Sequence, residues 1–285
     1  MEQFEEKIFK VDEDRFISYF DIGEGKKTLF LIHGWLNSKE VWIPIIKHLN
    51  LKKYRIIAID MLGHGNSSRS LKLKFNTLEN ISILSKFILD LGLEKITLIG
   101  HSTGGKISLF LANRLHTLSK SIVKSVILVN SIGTYEFWRT LHPLLKVAFF
   151  RPIRTLIGLF ILPPIVKFFF KRFLFFLPIE KELKENISKY VSPYTQIHFE
   201  STKNKICALR ITENLFDRFV EDIDRSELPE VKVIYSQKDE LVSIQAQYKF
   251  SILFKTPIVI LPNSGHMVIL ELPKEVAQTL EKLLN

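Results

Sequence analysis

The chain has 285 residues, 46% hydrophobic and 25% charged, which excludes a disordered or low-complexity polymer and suffices for one large core with an insertion. A single cysteine, Cys207, excludes a disulfide framework, a cysteine zinc site and an iron–sulfur cluster within the monomer. The formal net charge of +10 is concentrated: residues 137–179 hold seven cations (Arg139, Lys146, Arg151, Arg154, Lys167, Lys171, Arg172), no carboxylate and ten of the 23 phenylalanines. That local pattern points to an anionic or amphipathic partner rather than to general basicity.

The acidic start, Met1-Glu2-Gln3-Phe4-Glu5-Glu6, lacks the cationic and apolar regions of a signal peptide, so a reducing cytoplasm is the expected compartment. Residues 8–11 and 16–22 alternate apolar and polar and predict an antiparallel start. Residues 28–32, 55–59, 96–99 and 126–129 are short runs apolar on both faces, which predicts buried parallel strands. Between them, residues 38–49, 78–91 and 106–115 have helical spacing, with Ile107, Phe110, Leu111 and Leu115 as one example.

The alternation stops near Ser131 and resumes at residues 231–235, followed by an apolar run at 257–261 and a terminal helix over Pro273–Leu284. The stretch between is too long for a loop and helical in tendency, so it predicts an inserted cap. The expected fold is α/β: a mostly parallel central sheet flanked by helices, with a helical cap or lid. Residues 1–132 and 230–285 would form the core and 133–229 the cap. The longest uncharged stretch of the cap, residues 155–166 with Gly158, Pro163 and Pro164, is well short of the roughly 20 residues that span a bilayer.

Gly100-His101-Ser102-Thr103-Gly104-Gly105 follows the strand at 96–99 and precedes the helix near Lys106, which is G-x-S-x-G between a strand and a helix. So sharp a turn forces Ser102 into strained backbone angles, and side chains at Gly100 and Gly104 would collide. It lifts the Ser102 hydroxyl clear of the sheet and aims the first N–H groups of the helix at whatever that hydroxyl attacks. A glycine-rich strand-to-helix turn with an incidental serine is the plainer alternative; the pattern is common by spacing alone, and the flanking strand and helix favour the functional reading. A phosphate loop is disfavoured, because no lysine followed by serine or threonine comes after the glycines.

On these residues the chain resembles the α/β-hydrolase fold family, in the lidded form shared by esterases, lipases and related hydrolases. The resemblance covers about 28–131 and 231–284, and it implies further roles. His33-Gly34-Trp35-Leu36 resembles the family's HG-x loop, which implies the backbone N–H groups of Trp35 and Thr103 as oxyanion donors. Asp60-Met61-Leu62-Gly63-His64-Gly65-Asn66-Ser67 resembles its D-x-x-G-x-G-x-S loop, with Asp60 structural rather than catalytic. His266, after Pro262-Asn263-Ser264-Gly265, stands where the family has its catalytic base; His33, His64 and His101 have structural explanations within their loop motifs. The loop Ser236-Gln237-Lys238-Asp239-Glu240-Leu241-Val242 implies Asp239 as the acid, with Glu240 as the neighbouring competitor and Ser236 where glycine is usual. The chain order Ser102, Asp239, His266 is that of the family.

The implied reaction is acyl transfer to water through an acyl-enzyme, with no metal, nucleotide or redox cofactor. A serine nucleophile argues against the dehalogenases and epoxide hydrolases of this fold, and the missing carboxylates of 137–179 argue against an aminopeptidase. Fold and triad do not set the substrate. The first reading is an esterase or lipase for a hydrophobic ester of medium or long acyl chain, with Phe168-Phe169-Phe170 and residues 173–176 lining an acyl channel or touching lipid. The second is a hydrolase of carrier-bound or carboxylate-bearing substrates. Here His33-Gly34-Trp35 followed by Glu40-Val41-Trp42 resembles pimeloyl-carrier-protein methyl ester esterases, and a basic lid suits an acidic carrier. The third, a non-catalytic binding protein of the same fold, is disfavoured by the intact Ser102, Asp239 and His266. Residues 137–179 suit peripheral contact with an anionic membrane or an acidic carrier protein, and nucleic acid is not expected.

Overall fold

The computed structural model describes residues 4–141, 146 and 181–285. Its strands are β1 (Glu6–Lys10), β2 (Phe16–Ile22), β3 (Lys27–Ile32), β4 (Tyr54–Ile59), β5 (Ile96–His101), β6 (Val123–Val129), β7 (Glu230–Ser236) and β8 (Ile258–Leu261). They form one sheet in the order β1-β2-β4-β3-β5-β6-β7-β8. The alternating first two strands are antiparallel to each other, and β2 is antiparallel to β4. Every later pairing is parallel, as the unbroken apolar runs require once helices cover both faces.

Successive strand residues feed opposite cores. Phe30, Ile57 and Leu98 meet Leu84 and Phe87 of α2 (Thr77–Asp90) and Leu111 and Leu115 of α3 (Thr103–Leu118) on one side. Leu29, Leu31, Ile56 and Ile99 meet Ile45 and Ile46 of α1 (Ile43–Ile46) and Val276 and Leu280 of a terminal helix, Pro273–Leu284, on the other. Each such fully buried side chain contributes about 1.5–3 kcal/mol. The residues at the parallel strands' C-terminal ends are therefore held by two packed layers, and the candidate site stands on them.

Two predicted helices differ in extent. Residues 38–49 form not one helix but a 3-10 turn, Lys39–Trp42, followed by the single turn α1. Pro44 lacks an N–H and starts a helix rather than continuing one. The helix expected from 106 begins at Thr103 instead, because Gly104 and Gly105 belong to its first turn.

Between β6 and β7 the described residues are helical: α4 (Tyr135–Thr140), α5 (Lys181–Tyr190), α6 (Ser192–Ile197) and α7 (Thr202–Glu213), then three short 3-10 turns. Leu183, Ile187 and Tyr190 join one sheet core, and Cys207, Ala208 and Ile211 join the other. Lys106 of α3, itself buried, fastens the end of this excursion by donating to the Leu215 carbonyl at 3.0 Å and to Asp217 at 2.6 Å. Arg151, Arg154, Lys167, Lys171, Arg172, residues 155–166 and the runs Phe168-Phe169-Phe170 and 173–176 lie outside the described residues. Among the described residues, no helix is long and apolar enough to cross a membrane. Two further helices follow β7: α8 (Ile244–Phe254) and α9 (Val268–Glu271).

Candidate active site

The turn from β5 into α3 holds Ser102 at φ 53°, ψ −119°, a left-handed conformation that costs a non-glycine residue about 1–3 kcal/mol. The backbone around it fixes that angle. Ser102 N–H donates to the Val129 carbonyl at 3.0 Å, and its own carbonyl accepts from Gly105 at 3.1 Å and Ile132 at 3.3 Å. The flanking glycines have steric causes. A Cβ on Gly100 would lie 2.3 Å from the Gly104 carbonyl oxygen, and one on Gly104 would lie 2.1 Å from that of Ile32.

Three side chains far apart in sequence meet here. His266 Nε2 lies 3.1 Å from Ser102 Oγ, and His266 Nδ1 lies 2.8 Å from Asp239 Oδ2. Asp239 Oδ1 accepts from the N–H groups of Leu241 and Val242, both at 2.9 Å, so the carboxylate is fixed before it touches the imidazole. A buried carboxylate at Nδ1 puts the ring proton there and leaves the Nε2 lone pair facing the serine hydroxyl. Glu240, its neighbour, is exposed.

Gly34 lies against the serine: a Cβ there would be 3.1 Å from Ser102 Cβ. The HG-x loop thus reaches the same place as the first turn of α3. Among the described residues, neither the Trp35 nor the Thr103 N–H donates to a protein acceptor. Asp60 accepts from Lys39 N–H at 2.7 Å, Lys39 Nζ at 2.8 Å and Asn66 N–H at 2.8 Å, which is a brace for its loop. Two surface clefts, of about 570 and 600 Å³, share no lining residue with Ser102, Asp239 or His266. Among the described residues no group of three or more His, Cys, Asp or Glu is placed to hold a metal ion.

Three residues hold the His266 loop through contacts that the sequence did not show, His101 among them. Asn130, at the end of β6 with φ 45°, donates from Nδ2 to the carbonyls of Gly265 at 3.1 Å and His266 at 3.0 Å, and to Ser236 Oγ at 2.8 Å. Its Oδ1 accepts from the Ser236 N–H at 2.8 Å. His101 Nε2 donates to the His266 carbonyl at 2.8 Å; burial pushes its pKa down to about 3, so it stays neutral. Glu271 accepts from the N–H groups of Gly265 and Met267. The one available signal was a polar asparagine directly after the apolar run of residues 126–129. Asn130→Ala is expected to lower kcat by about 10²-fold with little change in KM, since a base displaced by an ångström loses roughly that much. Steady-state kinetics beside a circular dichroism check of the fold measure it, and an unchanged kcat would show that the clamp does not position His266.

Comparison with known proteins identifies the family and the fold. A family model described as alpha/beta hydrolase fold matches residues 27–273. The chain is 25% identical to the 2-hydroxy-6-oxo-6-(2'-aminophenyl)hexa-2,4-dienoic acid hydrolase of Metapseudomonas resinovorans, over 100% of this chain and 95% of that protein. It is 34% identical to the (E)-2-((N-methylformamido)methylene)succinate hydrolase of Acinetobacter baylyi, over 36% of this chain and 38% of that one. Among solved structures, a carboxylesterase of Nitrososphaera gargenis superposes with a TM-score of 0.74 at 20% identity, covering 98% of this chain and 97% of that one. A bacterial membrane phospholipase A does so at 0.74 and 22%, covering 98% and 85%. At these identities the solved structures establish the fold alone.

Proposed function

The chain belongs to the α/β-hydrolase fold family and is a hydrolase, and from its site we propose that it cleaves carboxylic esters of medium or long acyl chain through an acyl-enzyme on Ser102. The observation that carries this reading is the continuous line from Asp239 through His266 to Ser102, at 2.8 and 3.1 Å, on a strained turn. In the reaction, Ser102 Oγ attacks the ester carbonyl while His266 Nε2 takes its proton, and Asp239 stabilises the imidazolium without becoming protonated. The N–H groups of Trp35 and Thr103 receive the charge that develops on the carbonyl oxygen. His266 then returns the proton to the leaving alkoxide, and a water activated by the same base releases the acid.

The acyl preference rests on the phenylalanine-rich residues 137–179, and the same basic segment supports peripheral contact with an anionic membrane or an acidic carrier protein. A second reading, a hydrolase of carboxylate-bearing or carrier-bound substrates, is favoured by the full-length relative named for a dienoic acid.

A fluorophosphonate probe tests the class of protein: it should label the parent and not Ser102→Ala, and an unlabelled parent would leave only a binding protein. A series of p-nitrophenyl esters from acetate to laurate tests the substrate. Burying each methylene contributes about 0.8 kcal/mol, so kcat/KM should rise by roughly fourfold per carbon until the channel is full. A flat series, or one highest at acetate, removes the long-acyl reading. Turnover confined to half-esters of dicarboxylic acids puts the second reading first.

A further inference from the structure

A buried polar atom without a partner costs the hydrogen bonds it gave up in water, so such atoms are few and each calls for a reason. Among the described residues there are sixteen, and five belong to just three side chains: Nε2 of His64, Nε and Nη2 of Arg69, and both ring nitrogens of His198. His64 and Arg69 come from the loop after β4, and His198 from the residue after α6. The His64 ring meets His198 edge-on at 5.5 Å between centroids and lies 4.9 Å from the His33 ring. His64 is 3% exposed and His198 0%. Arg69 is half-buried, with Nε and Nη2 inside.

The neighbours do not neutralise this cluster. Arg69 faces Asp60, Cys207 and Glu200. Asp60 is already engaged by Lys39 and Asn66, Glu200 is exposed, and burial pushes the Cys207 thiol up, which keeps it neutral. His64 faces His33, His198 and Arg69, and His198 faces His64, Arg69 and His33. His33 is spent: its Nδ1 donates to the Gly34 carbonyl at 2.7 Å and its Nε2 accepts from the Met61 N–H at 3.1 Å. A guanidinium and two imidazoles therefore lie together, and no carboxylate among the described residues is bonded to Nε or Nη2 of Arg69, to Nε2 of His64 or to either ring nitrogen of His198.

We propose that Arg69, His64 and His198 form a binding site for one small oxyanion, a carboxylate or a phosphate group, separate from Ser102. The orphaned Nε and Nη2 are one edge of the guanidinium fork, spaced for two oxygens of such a group. The same two nitrogens of Arg55 hold Asp21 in this protein, at 2.8 and 2.9 Å. His198 supplies a ring N–H. His64 already uses its Nδ1 proton on the Leu62 carbonyl, at 3.0 Å, so its Nε2 becomes a donor only on protonation. Anion binding therefore takes up a proton. Burial disfavours the charged form of both imidazoles, and an anion raises their basicity, so affinity should increase as pH falls, by up to about tenfold per pH unit.

The oxyanion has two sources: free in solution, or carried on a substrate. The row of rings from His198 through His64 to His33 ends beside Gly34, which packs on Ser102. Thermal unfolding of the full chain in sodium phosphate, and separately in sodium acetate, against sodium chloride of equal ionic strength tests the site near pH 6 and pH 8. The expected result is a saturable rise in Tm, of about 2–4 °C at roughly ten times Kd and larger near pH 6. The exposed control Arg114→Gln should keep it, Arg69→Gln should lose it and His198→Asn should weaken it. A response in Arg69→Gln equal to that of the parent, or no saturable response at the lower pH, overturns the proposal. If Arg69→Gln does not fold, an undiminished response in His198→Asn does the same. The source is read from kinetics, an arm that alone rests on the hydrolase reading. Phosphate competing with a dicarboxylic half-ester but not with a neutral ester of equal length assigns the site to the substrate, and competition with neither assigns it to a free anion.

Discussion

Ser102→Ala is expected to remove turnover of short p-nitrophenyl esters, lowering kcat by roughly 10⁴–10⁶-fold, while leaving the fold and its melting intact. The substitution deletes one atom, the Oγ that lies 3.1 Å from His266 Nε2. It leaves the hydrogen bonds that fix the turn, because these run through the backbone of Ser102, Gly105, Val129 and Ile132. Alanine has the same Cβ at the same positive φ, so the strain is unchanged. Among the described residues no second hydroxyl is placed to substitute: Thr103 Oγ1 is buried without a partner, and Ser131 Oγ donates back to the Gly100 carbonyl at 3.5 Å. In the proposed mechanism, what remains is whatever the N–H groups of Trp35 and Thr103 achieve for direct attack by water, which accounts for the lower bound of the loss. Residual activity within tenfold of the parent would remove Ser102 as the nucleophile.

The strained turn at Ser102 was legible in sequence because its two glycines stand within five residues, Gly100 having to clear Gly104; that Gly104 must also clear the end of β3 was not. The sheet was legible for a similar reason, since strands buried on both faces have no polar face to show and their runs stand out from the amphipathic helices between them. The choice of Asp239 over Glu240 came from the family resemblance alone, because adjacent residues share their local surroundings in sequence. In the structure it is made by the N–H groups of Leu241 and Val242, which turn one carboxylate inward and leave the other in solvent. Asn130, His101 and Glu271 stayed hidden because they act on backbone groups of the His266 loop, and a backbone group leaves no mark on residue type. The excursion between β6 and β7 could be read as helical but not placed. Whether Ile187 or Cys207 packs on its own helices or on the sheet cores depends on contacts made across the whole chain.

Asp239→Asn is expected to slow kcat by about 10⁴-fold, and Glu240→Gln by less than threefold. The asymmetry follows from how Asp239 is held. Oδ1 accepts two backbone N–H groups and Oδ2 accepts the His266 Nδ1 proton. An asparagine has only one acceptor oxygen, and two backbone donors compete for it against one ring donor. With the oxygen turned toward Leu241 and Val242, the amide N–H₂ faces His266 Nδ1 and forces the imidazole into its other tautomer. The ring proton then sits on Nε2, pointing at Ser102 Oγ, and the base can no longer accept. Turning the amide over would instead set two N–H donors against an N–H₂ in a site where the Asp239 side chain is 0% exposed, which costs more. Steady-state kinetics on one ester, with fluorophosphonate labelling rates for both variants, measure the ranking. Labelling should slow in parallel with turnover for Asp239→Asn, because both need the proton taken from Ser102. If Glu240→Gln were the slower enzyme, the acid would have to be the exposed carboxylate, and the tautomer held in place by Asp239 would have no part in activating Ser102.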